Sequence, residues 1–222
     1  MALNLIMFGP PGAGKGTQAE QFAKTRGIPK ISTGDILREA VHAGTDIGRK
    51  AKVTMDRGEL VSDDVMIGIV RDRLDREDAS RGFVLDGFPR TLGQATALDQ
   101  MMSGRDPLVV VEIVVPEDQL IRRLSMRLVC DLCGFTAVPG AAKDKCHRCG
   151  GVLVQRTDDN VDVVRERLSV YHRQTEPLVE YYSRRPTFRS VNGAQAAERV
   201  STELVTAIES ARAGLAAVEG AR

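Results

Sequence analysis

A glycine-rich segment near the N-terminus has the composition and spacing of a phosphate-binding loop. The string GPPGAGKGT places Gly9, Gly14 and Lys15 at the defining positions of a GxxxxGK pattern. An apolar run precedes the segment and a predicted helix follows it, so backbone N–H groups and the positive end of a helix dipole would face an anion. Gly16 stands where the pattern has Ser or Thr, and the hydroxyl follows at Thr17. The segment predicts binding of a nucleoside triphosphate, without separating kinases from GTPases or motors.

Two further segments carry arginines near the ends of predicted strands. Arg38 ends the string STGDILR, and Arg90 ends the string LDGFPR. Because ligands of open α/β sheets bind at the carboxyl ends of the strands, both segments should converge on the phosphate loop. Two guanidinium groups there could clamp a second phosphate through bidentate hydrogen bonds. Asp86, at the end of a predicted strand, is placed to organise Mg2+ through the water ligands of the ion.

All four cysteines lie within one short window, as two Cys-x2-Cys pairs that are each followed by glycine: Cys130, Cys133, Cys146 and Cys149. Four thiolates in two tight turns suit a tetrahedral zinc site with no open position, so the site is predicted to be structural. Iron also occupies such sites, and unligated thiols are the alternative. Pro139 and Gly140 favour a turn between the pairs, and His147 is interpreted as a solvated bystander.

Short apolar runs alternate with amphipathic segments along the chain. Strands are predicted over residues 3–8, 28–32, 82–85, 109–115 and 188–191. Helices are predicted over residues 16–24, 35–57 with a break near Gly44, 63–76 behind an N-cap at Ser62, 117–128, 160–183 and 194–218. This alternation predicts an α/β fold of the P-loop nucleoside triphosphate hydrolase type, with three layers, a parallel five-stranded sheet and a small zinc-binding insertion.

The overall composition is that of an ordinary globular protein. The chain has 222 residues, of which 42% are hydrophobic and 27% charged, and a net charge of +1. This charge gives no reason to expect binding to nucleic acid or to a membrane surface, and no apolar run approaches the roughly 18–20 residues that span a bilayer. The N-terminal run leads into the glycine loop, so it is interpreted as a strand and the expected location is cytoplasmic.

Four strings in one order resemble the adenylate kinase family over essentially the whole chain: GPPGAGKGTQA, STGDILR, LDGFPRT, and QRTDDN followed by VRERL. The order Gly16-Thr17 after Lys15 is the family's own variant of the loop. The resemblance implies reversible, Mg2+-dependent phosphoryl transfer in which ATP and AMP give two ADP, for adenine nucleotide homeostasis and salvage. The site would be complete within one chain, so a monomer is expected.

The resemblance also implies roles for individual residues. ATP would be bound by Gly12, Ala13, Gly14, Lys15, Gly16, Thr17, Arg123, Arg127, Thr136, Ala137 and, mostly through the backbone, Gln195. AMP would be bound by Thr33, Arg38, Glu59, Leu60, Val61, Gly87, Phe88, Pro89, Arg90, Gln94, Arg156 and Arg167. The catalytic set would be Lys15, Arg90, Arg123, Arg127, Arg156 and Arg167, with Thr17 and Asp86 on Mg2+ through water. Gln94 would recognise the adenine edge, since an amide both donates and accepts.

In the family pattern the cations align and neutralise the two phosphates, and no general base is needed because the acceptor phosphate is already ionised. The expected division is a core of residues 1–31, 62–127 and 162–222, an AMP-binding segment of residues 32–61, and a lid of residues 128–161 that is stapled by Zn2+ and excludes water. Metal-binding relatives often carry a threonine–aromatic pair after the first cysteine pair. This chain has Thr136 and Ala137 there, which leaves open what stacks on the ATP base.

Two alternative functions remain open from the sequence. The first is a kinase for UMP or CMP, or one that uses GTP as donor; Thr33, Gln94 and the long lid favour AMP and ATP. The second is a nucleic-acid-binding zinc ribbon attached to an NTPase core. The near-neutral charge and an aromatic content of 4% argue against this second alternative, because nucleic-acid binding needs cations and stacking platforms.

Overall fold

The computed structural model describes residues 2–137 and 145–219. Its strands are β1 (Leu3–Phe8), β2 (Lys30–Ser32), β3 (Gly82–Asp86), β4 (Leu108–Val114), β5 (Val129–Cys130), β6 (Leu153–Val154) and β7 (Phe188–Asn192). Its helices are α1 (Lys15–Arg26), α2 (Thr33–His42), α3 (Asp46–Asp56), α4 (Asp63–Leu74), α5 (Leu92–Met101), α6 (Glu117–Ser125), α7 (Val161–Val170), α8 (Pro177–Ser183) and α9 (Ala197–Glu219). None of the helices in these ranges is both long and apolar enough to cross a membrane.

Five of the strands form one parallel sheet in the order β2-β3-β1-β4-β7. Side chains of the central strand alternate between two cores: Ile6 and Phe8 face the core built with α4, α5 and α8, while Leu5 and Met7 face the core built with α1 and α9. Helices therefore cover both faces of the sheet, and the predicted three-layer α/β fold is confirmed. β5 and β6 form a separate antiparallel pair beside the cysteines.

The strand order determines which edge of the sheet can bind a ligand. The chain passes from β1 to β2 on one side of the sheet, whereas β4 lies on the other side of β1. The order therefore reverses beside the carboxyl end of β1, which is where open α/β sheets bind their ligands. The glycine-rich loop leaves β1 at this point, and Asp86 ends the neighbouring strand β3.

Three local features differ from the sequence predictions. Helix α5 was not predicted, because Leu92 is exposed while Ala95 and Leu98 are buried, so the apolar residues do not mark one continuous stripe. The long helix predicted over 160–183 is divided by a π-helical turn at Tyr171–Thr175. Ser62 occupies the N-cap position of α4 but makes no side-chain capping bond. The predicted break between α2 and α3 is present.

Some of the sequence expectations concern residues outside the described ranges. Pro139 and Gly140, with the rest of residues 138–144 of the expected lid, lie outside the described residues. The same holds for residues 1 and 220–222 of the expected core.

Candidate active site

The loop between β1 and α1 closes tightly against the sheet. Gly9 has φ +138°, and a Cβ there would lie 2.5 Å from the carbonyl oxygen of Ile113, so only glycine fits. Gly14 caps α1 in the left-handed region, with φ +95°. The Lys15 ammonium donates to the carbonyls of Gly9, at 2.6 Å, and of Pro10, at 2.9 Å. The loop thus collects a lysine and a helix N-terminus at one point, an arrangement suited to a polyphosphate.

Lys15 is half-buried, and its surroundings determine its charge. Burial lowers the pKa of the Lys15 ammonium to about 8, although the carboxylate of Asp86 favours the charged form. Asp86 Oδ2 also lies 3.3 Å from the position that a Cβ on residue 16 would take. Glycine in the slot usually occupied by Ser or Thr therefore leaves room for this carboxylate beside the loop. Thr17 is exposed on the first turn of α1. These two oxygen-bearing side chains flank the loop and are of the type that Mg2+ prefers.

A second pocket opens beside the loop, between α2, α4 and the segment that precedes α7. It is lined by ten of the twelve residues expected to bind AMP: Thr33, Arg38, Glu59, Leu60, Val61, Gly87, Arg90, Gln94, Arg156 and Arg167. Phe88 and Pro89 do not line it, because both side chains are buried in the protein. The lining also includes residues that the sequence interpretation omitted: Gly34, Leu37, Met55, Gly58, Met66 and Asp158. The pocket thus combines apolar side chains with four arginines.

Arg90 is anchored by the backbone around it. Its Nε donates to the carbonyl of Gly87 at 2.8 Å, and the Thr33 hydroxyl donates to the same oxygen at 2.8 Å. The carbonyl of Arg90 accepts a hydrogen bond from the Thr175 hydroxyl at 3.0 Å. Burial lowers the pKa of Arg90 from its ordinary value. Thr175 lies in the π-helical turn, so this irregular turn directs a hydroxyl towards the segment that carries Arg90.

Two adjacent aspartates hold the remaining arginines, and the sequence interpretation assigned neither of them a role. Asp159 accepts from Arg127 Nε at 2.7 Å and from Arg167 Nη1 at 2.8 Å, and its side chain is 0% exposed. Asp158 accepts from Arg156 Nε at 2.7 Å and lies 3.3 Å from Arg167. The string TDDN carried the only available signal, since two consecutive acids between functional arginines suit ion pairing.

The pKa values in this cluster reflect burial and mutual charge. Burial lowers the pKa of Arg167 to about 10, and the neighbouring guanidinium groups of Arg156 and Arg127 act in the same direction. Burial alone would raise the pKa of Asp158, but Arg167, Arg156 and Arg38 together hold it well below the usual range. Burial also lowers the pKa of Arg38, which pairs with Asp35 on the same helix. Asp158 thus remains ionised, and the hydrogen bonds of both aspartates keep the arginines close together.

The expected ATP-side residues are distributed around the loop. Arg127 joins the Asp159 cluster, whereas Arg123 Nη2 donates to the carbonyl of Gly193 at 2.9 Å. Gln195 lies two residues after this glycine, and its amide donates to the carbonyl of Asn192 at 2.9 Å and to Glu203 at 2.8 Å. The side chain of Gln195 is therefore engaged within the protein. Gly12 and Ala13 lie within the loop.

The four cysteines converge at the antiparallel pair, and their sulfur atoms all lie within 4.8 Å of one another. Cys130 and Cys149 sulfurs are 3.4 Å apart, and Cys133 and Cys146 sulfurs are 3.7 Å apart. Tetrahedral zinc–sulfur bonds of about 2.3 Å require sulfur–sulfur separations of about 3.8 Å, so this set fits a metal such as zinc. Burial would raise the pKa of the Cys130 thiol, but backbone N–H groups of Cys133 and Leu132 lower it to about 7. The N–H of Gly151 acts in the same direction on Cys149, but contacts with the Cys133 and Cys130 sulfurs raise the pKa of that thiol, so one thiol of the set gains thiolate character at the expense of another.

Other lid side chains pack around this cluster. Thr136 pairs with Val129 across the hairpin, and the N–H of Ala137 donates to the carbonyl of Leu128 at 2.9 Å. The Phe135 ring meets His147 edge-on, with centroids 4.6 Å apart. Phe135 therefore contributes to packing inside the lid, and His147 is its partner.

Replacing Asp159 with Asn should destabilise the protein and disorder its arginines. Two half-buried guanidinium groups would lose the fully buried counter-ion that they share, so the free energy of unfolding should fall by about 3–5 kcal/mol. Asp162→Asn is the matched control, since the Asp162 side chain is 95% exposed and its change should stay within about 0.5 kcal/mol. Urea unfolding of both variants measures the difference. Equal stability of the two variants would show that the buried pairing contributes nothing.

Lys15 should make nucleotide binding weaken at alkaline pH. The pKa of Lys15 in the folded protein, about 8, lies below the ordinary value of 10.5. Lys15 therefore loses its proton at a lower pH in the folded state than in the unfolded state. From this group, stability should rise between about pH 8 and 10.5, while affinity for a non-hydrolysable ATP analogue should fall at least about tenfold between pH 7 and 9.5. Calorimetric titration measures the affinity. Lys15→Met should bind weakly throughout this range, and a constant affinity of the unsubstituted protein would contradict the assignment.

Comparison with known proteins agrees with this geometry. The model of the adenylate kinase family matches residues 7–187. An adenylate kinase from Archaeoglobus fulgidus is 48% identical over 213 residues, which cover 93% of this chain and 98% of the relative. Adenylate kinases from Thermodesulfovibrio yellowstonii and Geobacillus sp. are 46% and 48% identical, covering 93% and 91% of this chain and 99% and 96% of their own lengths. With the phosphate loop and the arginine-lined pocket at the sheet's switch point, these matches show that the chain belongs to the adenylate kinase family of nucleoside monophosphate kinases.

Proposed function

We propose that this enzyme transfers the γ-phosphoryl group of ATP to AMP reversibly, giving two ADP in adenine nucleotide homeostasis and salvage. The observation that carries the proposal is the pair of adjoining anion sites, one at the phosphate loop and one in the arginine-lined pocket. The cluster formed by Arg156, Arg167 and Arg127 lies with Asp158 and Asp159 beside that pocket. A phosphoryl group that passes from one site to the other would therefore move through a field of fixed positive charge.

In this proposal each cation has a position relative to the two nucleotides. Lys15, Arg123 and Arg127 hold the donor phosphates, whereas Arg38 and Arg90 hold the acceptor phosphate. Arg156 and Arg167 neutralise the charge of the group in transfer. The acceptor phosphate is already ionised at neutral pH, so no side chain needs to remove a proton. Mg2+ bound to ATP, with Thr17 and Asp86 holding its waters, would supply further charge neutralisation.

The acceptor base would lie against the apolar part of the pocket. Leu37, Met55 and Met66 provide this surface, and Gln94 provides an amide at its end. Adenine has an amino donor beside ring-nitrogen acceptors, which an amide can match with its own acceptor and donor. This chemistry favours AMP over a pyrimidine nucleotide, whose smaller ring would leave part of the apolar surface uncovered.

The segments expected to move are the lid of residues 128–161 and the AMP-binding segment of residues 32–61, which close on a core of residues 1–31, 62–127 and 162–222. Closure on both substrates would exclude water from the transferred phosphoryl group and prevent hydrolysis of ATP. The four cysteines would hold a structural Zn2+ that rigidifies the lid without touching the substrates. All of these groups come from one chain, so we infer a monomer.

A coupled assay of ADP formation from MgATP tests the proposal, with AMP, UMP, CMP and GMP offered in turn. Rapid turnover with AMP alone is expected, because the 6-amino purine matches the pocket. Turnover with UMP or CMP would keep the phosphate clamp and overturn the acceptor assignment. Absence of turnover with all four would overturn the kinase proposal and favour the zinc-ribbon alternative, which direct nucleic-acid binding would then test.

Replacing Cys133 with Ser should separate the metal from the chemistry. The variant should lose its bound zinc, measured as metal per chain, and its midpoint of thermal unfolding should fall by about 5 °C or more. Its kcat at low temperature should stay within about threefold, since the cysteines only brace the lid. Leu132→Ala is the neighbouring control, because Leu132 is 75% exposed and should keep its zinc. Full zinc content in the Cys133→Ser variant would contradict the four-thiolate site.

A further inference from the structure

Asp63 is the first residue of α4, and its carboxylate connects this helix to α5. Oδ1 accepts a hydrogen bond from Gln94 Nε2 at 2.8 Å, and Oδ2 accepts from the Thr91 hydroxyl at 2.6 Å. Thr91 in turn caps α5, because its oxygen accepts from the backbone N–H of Gln94 at 3.2 Å. The N-terminus of α4 favours a carboxylate at this position through the helix dipole. Asp63, Thr91 and Gln94 therefore form a closed ring of hydrogen bonds.

The orientation of the Gln94 amide follows from its partners. The backbone N–H of Arg90 donates to Gln94 Oε1 at 2.8 Å, and an N–H can only donate. Both oxygens of Asp63 accept hydrogen bonds, from Gln94 and from Thr91, so the carboxylate requires Nε2 on its own side. Turning the amide over would place an oxygen against the carboxylate and a nitrogen against an N–H group. Both hydrogen bonds would be lost together, so these two contacts fix the amide in one orientation.

This orientation matters because Gln94 lines the proposed acceptor pocket while its side chain is almost entirely enclosed, at 1% exposure. One N–H and one lone pair of Oε1 remain after the contacts to Asp63 and Arg90. A 6-aminopurine offers a donor at position 6 beside ring-nitrogen acceptors, whereas a 6-oxopurine offers an acceptor at position 6. In the proposed binding mode Gln94 Oε1 faces position 6 of the base and Nε2 faces a ring nitrogen. An amide that could turn over would accommodate either base, but a fixed amide meets a 6-oxo group with its own oxygen.

We propose that Asp63 is a specificity-determining positioning residue, which makes the pocket select a 6-aminopurine over a 6-oxopurine by locking Gln94. The inference rests on the proposed function of this pocket as the AMP site. Asp63 acts without contacting the base. It accepts one amide proton of Gln94 and thereby determines which amide atoms face the base, so Asp63 and Gln94 together decide which base is accepted. A glutamine without this partner would still form hydrogen bonds to the edge of a purine, but it would discriminate poorly between a 6-aminopurine and a 6-oxopurine.

The test compares kcat/KM for AMP and for IMP at saturating MgATP, because IMP carries the 6-oxo group without further substituents. Asp63→Ala should lower the AMP-to-IMP ratio of kcat/KM at least about fivefold. The reason is that an amide free to turn over can present its N–H group to the 6-oxo group of IMP. Asp63→Asn keeps the shape and one acceptor oxygen, so its ratio should lie between those of the wild type and Asp63→Ala. Asp64→Ala is the matched control: it removes a neighbouring exposed charge from the same first turn, and its ratio should stay within about twofold of wild type.

Equal ratios for Asp63→Ala and Asp64→Ala would overturn the inference while leaving the proposed function intact, provided the wild type phosphorylates AMP. A wild type without AMP turnover would instead overturn the proposed function. Heteronuclear NMR gives a second measurement, which does not depend on turnover. The side-chain amide protons of Gln94, assigned by their loss in Gln94→Glu, should exchange slowly with water in the wild type and in Asp64→Ala, and faster in Asp63→Ala. Rapid exchange would show that the amide is not locked.

Discussion

The active site depends on one constraint: several positive charges must lie close together in a half-buried pocket. Two phosphorylated nucleotides repel each other, and only a dense group of cations can bring them into line. Burial of Arg38, Arg90 and Arg167 lowers the pKa of each, because partial removal from water disfavours a cation without a partner. Asp158 and Asp159 offset that cost with short ion pairs. The aspartates thus make the arginine cluster compatible with a folded protein, and they also hold the guanidinium groups in fixed directions.

The sheet determines where this cluster can lie. The parallel strand order brings the loop after β1, the end of β3 and the start of α2 to the same edge, so Lys15, Asp86 and Thr33 come from distant parts of the chain. The irregular elements serve the same purpose. The π-helical turn directs Thr175 towards the carbonyl of Arg90, and Gly16 leaves space for the Asp86 carboxylate beside the loop. Regular elements position the segments, and these local departures adjust individual groups within them.

The pocket and the lid show two different ways of stabilising a small part of the protein. Gln94 is held by hydrogen bonds to Asp63 and to the backbone of Arg90, which keep a polar group ordered inside an apolar surface. The lid segment has little apolar material, and Cys130, Cys146 and Leu153 form its buried centre among the described residues. Four sulfur atoms at metal-binding distances can replace the hydrophobic core that so short a segment lacks.

The sequence by itself determined the family and the fold, because the motifs are local: GPPGAGKGT needs only a strand before it and a helix after it, and each cysteine pair needs only one turn. The β-branched run of β4 and the break near Gly44 are likewise determined by residues that are adjacent in the sequence. The sequence did not identify helix α5, whose apolar residues do not form one continuous stripe along the helix, and it did not identify the π-helical turn. Only the tertiary structure showed the partners of the functional side chains. Asp63 meets Gln94, and Asp159 meets Arg127, across about thirty residues of chain. Such pairings depend on how helices pack at one edge of the sheet, and hydrogen bonds and ion pairs of this kind have no periodicity that a linear pattern could record.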